Sequence, residues 1–550
     1  MIQRTVADYL VNRLHQAGIT GVFGVPGDFN FNILTAIEAN ENVRWIGCCN
    51  ELNAGYAADG YARIKGLGAL VTTFGVGELS AVNAVAGCFS EHVPLIMISG
   101  TPNRPTQERH ALVHHTLGNG DFDVYHKMFT HITAAQAILT PENAVSEIER
   151  VLGVALHTKK PVYIALAADV ARLPILGNAS PIAQSSDPNA LAEATDAILS
   201  WLERAKKPVI IAEMGVIRRR LQKQVATLVE RSGFPVTTMF MGKGAVDETM
   251  PQYIGLYYGH LVDKEVGEVV EAADCILALG VLLTDFNTGA FTAQLDPMRM
   301  IDVRGSHVVV KKARYDNVLM EDLLVKLTEK LTPRSGIVPI LKPPFGLPSG
   351  DPDAPLAAGY LYPRLQRFLR PGDIVVSESG TIGMGFAQVR MPSGVDSVTQ
   401  ALWGAIGWAT PAAFGVGLAA KDRRVILLTG DGSLQQTVQE VSSMLRFGLK
   451  PIIVLLNNGG YTIERLLHTD PMDPFNDIAC WNFTDIPSVF GGKAFAAQAR
   501  TNGEFDIALK QAAEKQEDRL CLIEAITDKM DAPPIAAALN RLIMAIYGRK

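Results

Sequence analysis

Short apolar runs alternate with amphipathic stretches along almost the entire chain, and this alternation narrows the folds it can adopt. GVFGVPG, ALVTTFGVG, VPLIMISG and PVYIALAAD lie in the first third; PVIIAEMG and CILALG in the middle; DIVVSESG, RVILLTGDG and PIIVLLNN in the last. A strand buried on both faces reads as a continuous apolar run. Between the runs, apolar residues recur at helical spacing: Val6, Leu10 and Leu14 share one face, and Gly18 follows as a stop. Strands separated by helices predict parallel sheets covered on both sides, an α/β class.

The length, 550 residues, exceeds what one core supports. Two stretches interrupt the alternation. Residues 174–189 are rich in Pro, Ser, Ala and Asn, and residues 333–359 hold seven prolines and four glycines. Both read as linkers. They divide the chain into three expected domains at 1–180, 190–335 and 358–550, each an open, mainly parallel sheet flanked by helices. A net charge of −6 provides no overall basic surface, so nucleic acid is not an expected partner. The N-terminus lacks an apolar signal core, and the apolar runs are strand-length, so the expectation is a cytoplasmic enzyme without membrane contact. The adjacent Cys48 and Cys49 follow an apolar run and are expected to be buried thiols.

The strongest local pattern is RVILLTGDGSLQQTVQEVSSMLRFGLKPIIVLLNNGGYTIE. Residues 425–429 form an expected strand that ends in the Gly430-Asp431-Gly432 turn. Ser433 is placed to cap a helix, with Gln436 in capping-box position. Leu434, Val438, Val441 and Leu445 give that helix one apolar face before Gly448 ends it. The next strand ends on Asn457-Asn458. Ligands of open α/β sheets bind outside the carboxyl ends of the strands. Glycines there admit close approach, unpaired helical N–H groups suit phosphate, and hard oxygen ligands suit Mg²⁺. Asp-Gly and Asn-Asn-Gly are each ordinary turn sequences. Their separation by 27 positions, with strand, helix and strand between, marks them as a pair.

This pair resembles the thiamine-diphosphate signature, and the longer GDGSLQQTVQE…NNGGYTIE is similar to the pyruvate and indolepyruvate decarboxylase branch. The resemblance extends through FGVPGD, NELNAGYAADGYAR, TTFGVGELSA, HHTLGNGDF and LWGAIGW. It implies thiamine-diphosphate-binding folds at both ends of the chain, with a pyrimidine-binding domain first, a central domain, and a diphosphate-binding domain last. It implies thiamine diphosphate and Mg²⁺ as cofactors, with Asp431, Asn458 and the Gly460 carbonyl on the metal. Thr73, Thr381, Gly430, Gly432, Ser433 and Tyr461 join the cofactor site. Glu51 matches the carboxylate that hydrogen-bonds the pyrimidine. Gly404 offers the carbonyl facing the pyrimidine amine, and Ile406 props the two rings together. Asp28, His114, His115 and Glu464 match the proton-handling set. The family's cofactor bridges two subunits, so a homodimer at least, commonly a homotetramer, is implied.

The implied reaction is non-oxidative decarboxylation of a 2-oxo acid to an aldehyde and CO₂, catalysed by a carboxy-lyase. Indolepyruvate, phenylpyruvate and pyruvate are the expected substrates. Ile463 and Leu467 are bulky pocket positions that favour a small acyl group. Gly383 is expected to open space for a larger one, and Phe286, Leu539 and Ile543 to line the mouth. A pyruvate-specific enzyme is the alternative; an acetolactate-synthase or pyruvate-oxidase type, or an inactive cofactor-binding regulator, stands further off.

Overall fold

The computed structural model describes residues 4–176, 184–334, 338, 339 and 341–547, without the side chains of 543 and 545–547. The chain divides into two compact units. One comprises 1–184, 410–422 and 437–449; the other comprises 185–409, 423–436 and 450–550.

The first unit holds a six-stranded sheet in the spatial order Arg44–Gly47, Gly21–Gly24, Gly68–Thr73, Leu95–Thr101, Val162–Ala167, Gln136–Ile138. Every pairing is parallel. The central strands GALVTT, LIMISGT and VYIALA are buried throughout, as their unbroken apolar character predicts. The first helix, Val6–Gln16, is capped by Thr5 and Asp8 in a reciprocal box, and Val6, Leu10 and Leu14 are all buried. Strand order reverses between Gly21–Gly24 and Gly68–Thr73. Such a reversal leaves a crevice at the carboxyl ends, because the flanking connections diverge to opposite sides.

The helix Glu51–Lys65 starts at Asn50, whose side chain accepts from Asn53 N, and ends at Gly66 in a left-handed conformation. Its small residues allow close helix contact. A Cβ on Gly60 would stand 2.2 Å from the Ala412 carbonyl oxygen, and one on Gly415 would stand 1.8 Å from that of Ala57. Cys48 is half-buried and Cys49 exposed, against expectation. The apolar run ends at the edge strand Arg44–Gly47, so the two thiols lie beyond it.

The second unit holds two sheets. The central one has seven strands in the order Ala313–Asp316, His307–Val310, Met300–Val303, Cys275–Leu279, Pro208–Ala212, Val236–Thr238, Tyr253–Leu256. Its last five are parallel, and an antiparallel hairpin closes the other edge. The remaining sheet runs Asp396–Thr399, Ile374–Ser377, Val425–Gly430, Ile452–Asn457, Leu520–Ile526, Ala494–Ala499, all parallel. Its connectivity repeats that of the first sheet, with the reversal between Ile374–Ser377 and Val425–Gly430.

The expected linkers fall partly on residues 177–183, 335–337 and 340, outside the described residues. The rest of each is more structured than its composition suggests. Asp187 caps a helix at Pro188–Arg204. Phe345 and Leu356 are buried in the core of the last sheet. Among the described residues, no helix is long and apolar enough to cross a membrane.

Replacing Gly415 with alanine should force two backbones apart and cost about 1–3 kcal/mol, as overpacking does. A lowered urea midpoint with an unchanged slope is the expected readout.

Candidate active site

Asp431 is the buried centre of the polar residues at the last sheet's reversal. It directly follows Val425–Gly430 and is 2 % exposed. Its Oδ1 accepts from Gly432 N at 2.8 Å, and its Oδ2 accepts from Gly460 N at 3.0 Å. Burial pushes the carboxyl above its ordinary range, while these N–H groups draw it back. Asp431 thereby joins the turns that follow two neighbouring strands.

The helix begins at Asp431, not after Ser433. The Asp431 carboxylate takes the Gly432 N–H, so Ser433 falls inside the first turn and the expected capping box does not form. The expected helix also divides, into Asp431–Thr437 and Glu440–Arg446. The second piece belongs to the first unit, where Glu440 accepts from Asn53 Nδ2 at 2.8 Å.

Two glycines are required by geometry. Gly460 has φ +136°, and a Cβ there would meet the Asn476 carbonyl oxygen at 2.1 Å. Gly432 has no room for a side chain because the Tyr461 ring lies against it, 2.5 Å from an added Cβ. Asn476 also accepts from Tyr461 N at 3.0 Å, which fixes the turn that presents Gly460.

Ser379, Thr381, Ile406, Gly430, Asp431, Gly432, Ser433, Asn458, Gly460, Tyr461 and Ile463 line one cavity. The sequence singles out all of these except Ser379, and it also misses Gly380, Ile382, Leu456 and Thr462, which line the same cavity. The turn Glu378-Ser379-Gly380 follows a buried strand as Gly430-Asp431-Gly432 does, and that shared pattern is the signal that would have revealed it. Gly404, with φ +64°, lies two residues before Ile406 on the 400–408 segment and is not among the cavity's lining residues. Glu464 is exposed on the helix Thr462–Leu467.

The first unit gathers a second polar group at its own reversal. Asp28 opens a short 3₁₀ turn after Gly21–Gly24. His114 Nε2 lies 2.8 Å from Asp28 Oδ2, and His115 Nε2 lies 3.8 Å from Oδ1. His114 stacks on Phe29 at 5.0 Å. Glu51, the first residue of its helix, is half-buried. A Cβ on Gly77 would stand 3.2 Å from Glu51 Oε1 and 3.3 Å from Thr73 Cγ2, so these residues share one corner. Among the described residues, the buried hydroxyls of Thr72 and Thr73 have no hydrogen-bond partner. A buried polar atom left unpaired is costly, and a ligand there would relieve it.

Residues 4–121 match the thiamine pyrophosphate enzyme N-terminal TPP binding domain, 195–324 the central domain, and 378–525 the C-terminal TPP binding domain. An alpha-keto-acid decarboxylase of Mycobacterium leprae (strain TN) is 42 % identical, with 98 % of this chain and 95 % of the relative covered. A pyruvate decarboxylase of Hanseniaspora uvarum is 40 % identical over the full length of both. Pyruvate decarboxylase isozyme 1 of Saccharomyces cerevisiae (strain ATCC 204508 / S288c) is 39 % identical, with 97 % of each covered. The chain belongs to the thiamine-diphosphate-dependent 2-oxo acid decarboxylases.

In this decarboxylase the residues present fit the cofactor. The cavity combines a buried carboxylate, an amide side chain, glycines that admit close approach, and the hydroxyl residues Ser379, Thr381 and Ser433. Oxygen donors of this kind suit a magnesium diphosphate.

The expected pocket residues divide. Phe286, Ile463 and Leu539 pack against one apolar cluster that includes Phe240, Tyr258, Met384 and Leu466. Gly383 does not open this pocket. A Cβ there would meet the Glu378 carbonyl oxygen at 2.1 Å, so the glycine faces backbone, and its neighbour Met384 faces the cluster. Leu466, not Leu467, is the buried leucine of its helix in the cluster. Leu467 is half-buried. The side chain of Ile543 lies outside the described residues.

Substituting Asp431 with alanine removes a metal-ligand candidate and frees the Gly460 turn. The variant should lose Mg²⁺-dependent binding of thiamine diphosphate while remaining folded. Calorimetric titration checks this; unchanged affinity would contradict the anchor.

Proposed function

We propose that this enzyme converts 2-oxo acids of varied size, with indolepyruvate, phenylpyruvate and pyruvate among them, to aldehydes and CO₂. Mg²⁺, held by Asp431, Asn458 and the Gly460 carbonyl, would bind the cofactor diphosphate. When bound, thiamine diphosphate supplies a carbanionic nucleophile and an electron sink.

The chain's own residues would do the rest. Glu51 would hold the hydrogen bond to the pyrimidine ring. Its place over Gly77, beside the unpaired Thr73 hydroxyl, supports this. Gly404 would present its carbonyl to the pyrimidine amine, and Ile406 would hold the cofactor's rings together. Loss of CO₂ leaves the former carbonyl carbon needing one proton. Asp28, His114 and His115, whose ligand atoms all lie within 4.8 Å of one another, would store and deliver it. Glu464 would assist from its helix.

Substrate breadth rests on Met384. A thioether side chain is flexible and polarizable, so it adapts to different acyl groups. Pyruvate specificity is the second reading, favoured by the names of the Hanseniaspora and Saccharomyces relatives. The associated assembly is a homodimer or homotetramer, because the family's cofactor bridges two subunits. The cytoplasm is the proposed compartment.

The deciding experiment measures kcat/KM for pyruvate, phenylpyruvate, indolepyruvate and 2-oxoisovalerate, with the aldehyde detected directly. Conversion of all four within about a hundredfold, the scale set by a methylene or two in an apolar pocket, supports breadth. Conversion of pyruvate alone supports the second reading, and no aldehyde from any of them overturns both. Glu51→Gln should lower kcat by at least about a hundredfold, the scale of lost general acid–base catalysis, with the fold intact by circular dichroism.

A further inference from the structure

Glu378 is a fully buried carboxylate that the proposed chemistry leaves unused. It follows the strand Ile374–Ser377 at the reversal point. Its Oε1 accepts from Ser379 N at 3.0 Å. Its Oε2 accepts from Gly407 N at 3.1 Å and from Ala409 N at 3.2 Å. Burial pushes its carboxyl up to about 7, opposed by these three N–H groups. Burying an ionisable group is costly unless it is well satisfied, so its presence calls for a reason beyond packing.

The segment it holds is the one that carries Gly404 and Ile406. Residues 400–408 have no regular secondary structure, and Ile406 is 40 % exposed. Gln400, 1 % exposed, gives a second hold: its Oε1 accepts from Ala405 N at 3.1 Å. Its carbonyl accepts from Ser379 Oγ at 3.0 Å, which ties the two holds together. Gly407 closes the far side, where a Cβ would stand 2.6 Å from Gln436 Cβ. Thus the N–H groups on both sides of Ile406 end on two buried side chains, while Ile406 itself faces the cavity.

We propose that Glu378 is a positioning residue for the decarboxylation, its carboxylate fixing the 404–407 segment so that the Gly404 carbonyl and the Ile406 side chain meet bound thiamine diphosphate in their working places. This rests on the cofactor roles proposed above for Gly404 and Ile406. It assigns Glu378 no contact with substrate. Glutamine is the informative substitution. It retains shape but has one acceptor oxygen, so in either orientation an amide NH₂ group faces an N–H that the carboxylate accepts.

The test uses full-length Glu378→Gln saturated with thiamine diphosphate and Mg²⁺. Exchange of the cofactor C2 proton with deuterium is followed by quenched-flow NMR, alongside kcat and cofactor affinity. Exchange and kcat should fall together by about tenfold or more, the scale of a small misplacement of a reacting group. Cofactor affinity should stay within about threefold, since the Asp431 anchor is untouched. Exchange and kcat within about twofold of the parent, or a loss of affinity with normal exchange at saturation, would overturn the proposal. If Glu378→Gln does not assemble, Gln400→Ala decides: slowed exchange supports the proposal and normal exchange overturns it. The exchange needs no 2-oxo acid. A parent that exchanges rapidly yet forms no aldehyde would therefore sink the substrate reading and leave this one standing.

Discussion

The Asp431 carboxylate accepts one N–H from the turn it sits in and one from the turn after the next strand. Without that bridge, the Gly430 and Gly460 turns would be two separate loops at the edge of a sheet. With it, Asp431, Asn458 and the Gly460 carbonyl border one cavity. The arrangement is expensive in isolation, because burial works against the charged form of Asp431. A bound cation reverses that balance, since a neighbouring positive charge favours the carboxylate. This fits the Mg²⁺ we propose at the site.

The same logic recurs at the other end of the chain. Two sheets with identical connectivity each leave a crevice where strand order reverses. One holds the hard-oxygen anchor. The other holds Asp28, Glu51, Thr73 and the two histidines. The roles we propose, cofactor binding and proton handling, would thus be divided between two copies of one topology, each gathering its polar residues near the carboxyl ends of its strands.

Much of this was legible in the sequence. Apolar runs such as GALVTT and VYIALA identify buried parallel strands, and the Asp431–Asn458 pair marks the turns after two neighbouring strands. What stayed hidden depends on register and on partners distant in sequence. Gly383 and Met384 are adjacent, and only the helix's rotation decides that Met384 meets the apolar cluster while Gly383 faces the Glu378 carbonyl. The Ser433 cap fails because Asp431 takes the N–H first. Glu378 and Gln400 carry no local motif; their role emerges from hydrogen bonds to Ala405, Gly407 and Ala409.

We propose the metal at the last sheet's reversal, yet among the described residues Asp28, His114 and His115 form a second group that could hold a metal ion. A crystal structure with thiamine diphosphate and Mn²⁺ in place of Mg²⁺ distinguishes them by anomalous scattering. The expected anomalous peak lies between Asp431, Asn458 and the Gly460 carbonyl, with diphosphate oxygens completing the shell. A peak at the Asp28–His114–His115 cluster, with the Asp431 cavity lacking diphosphate, would contradict it.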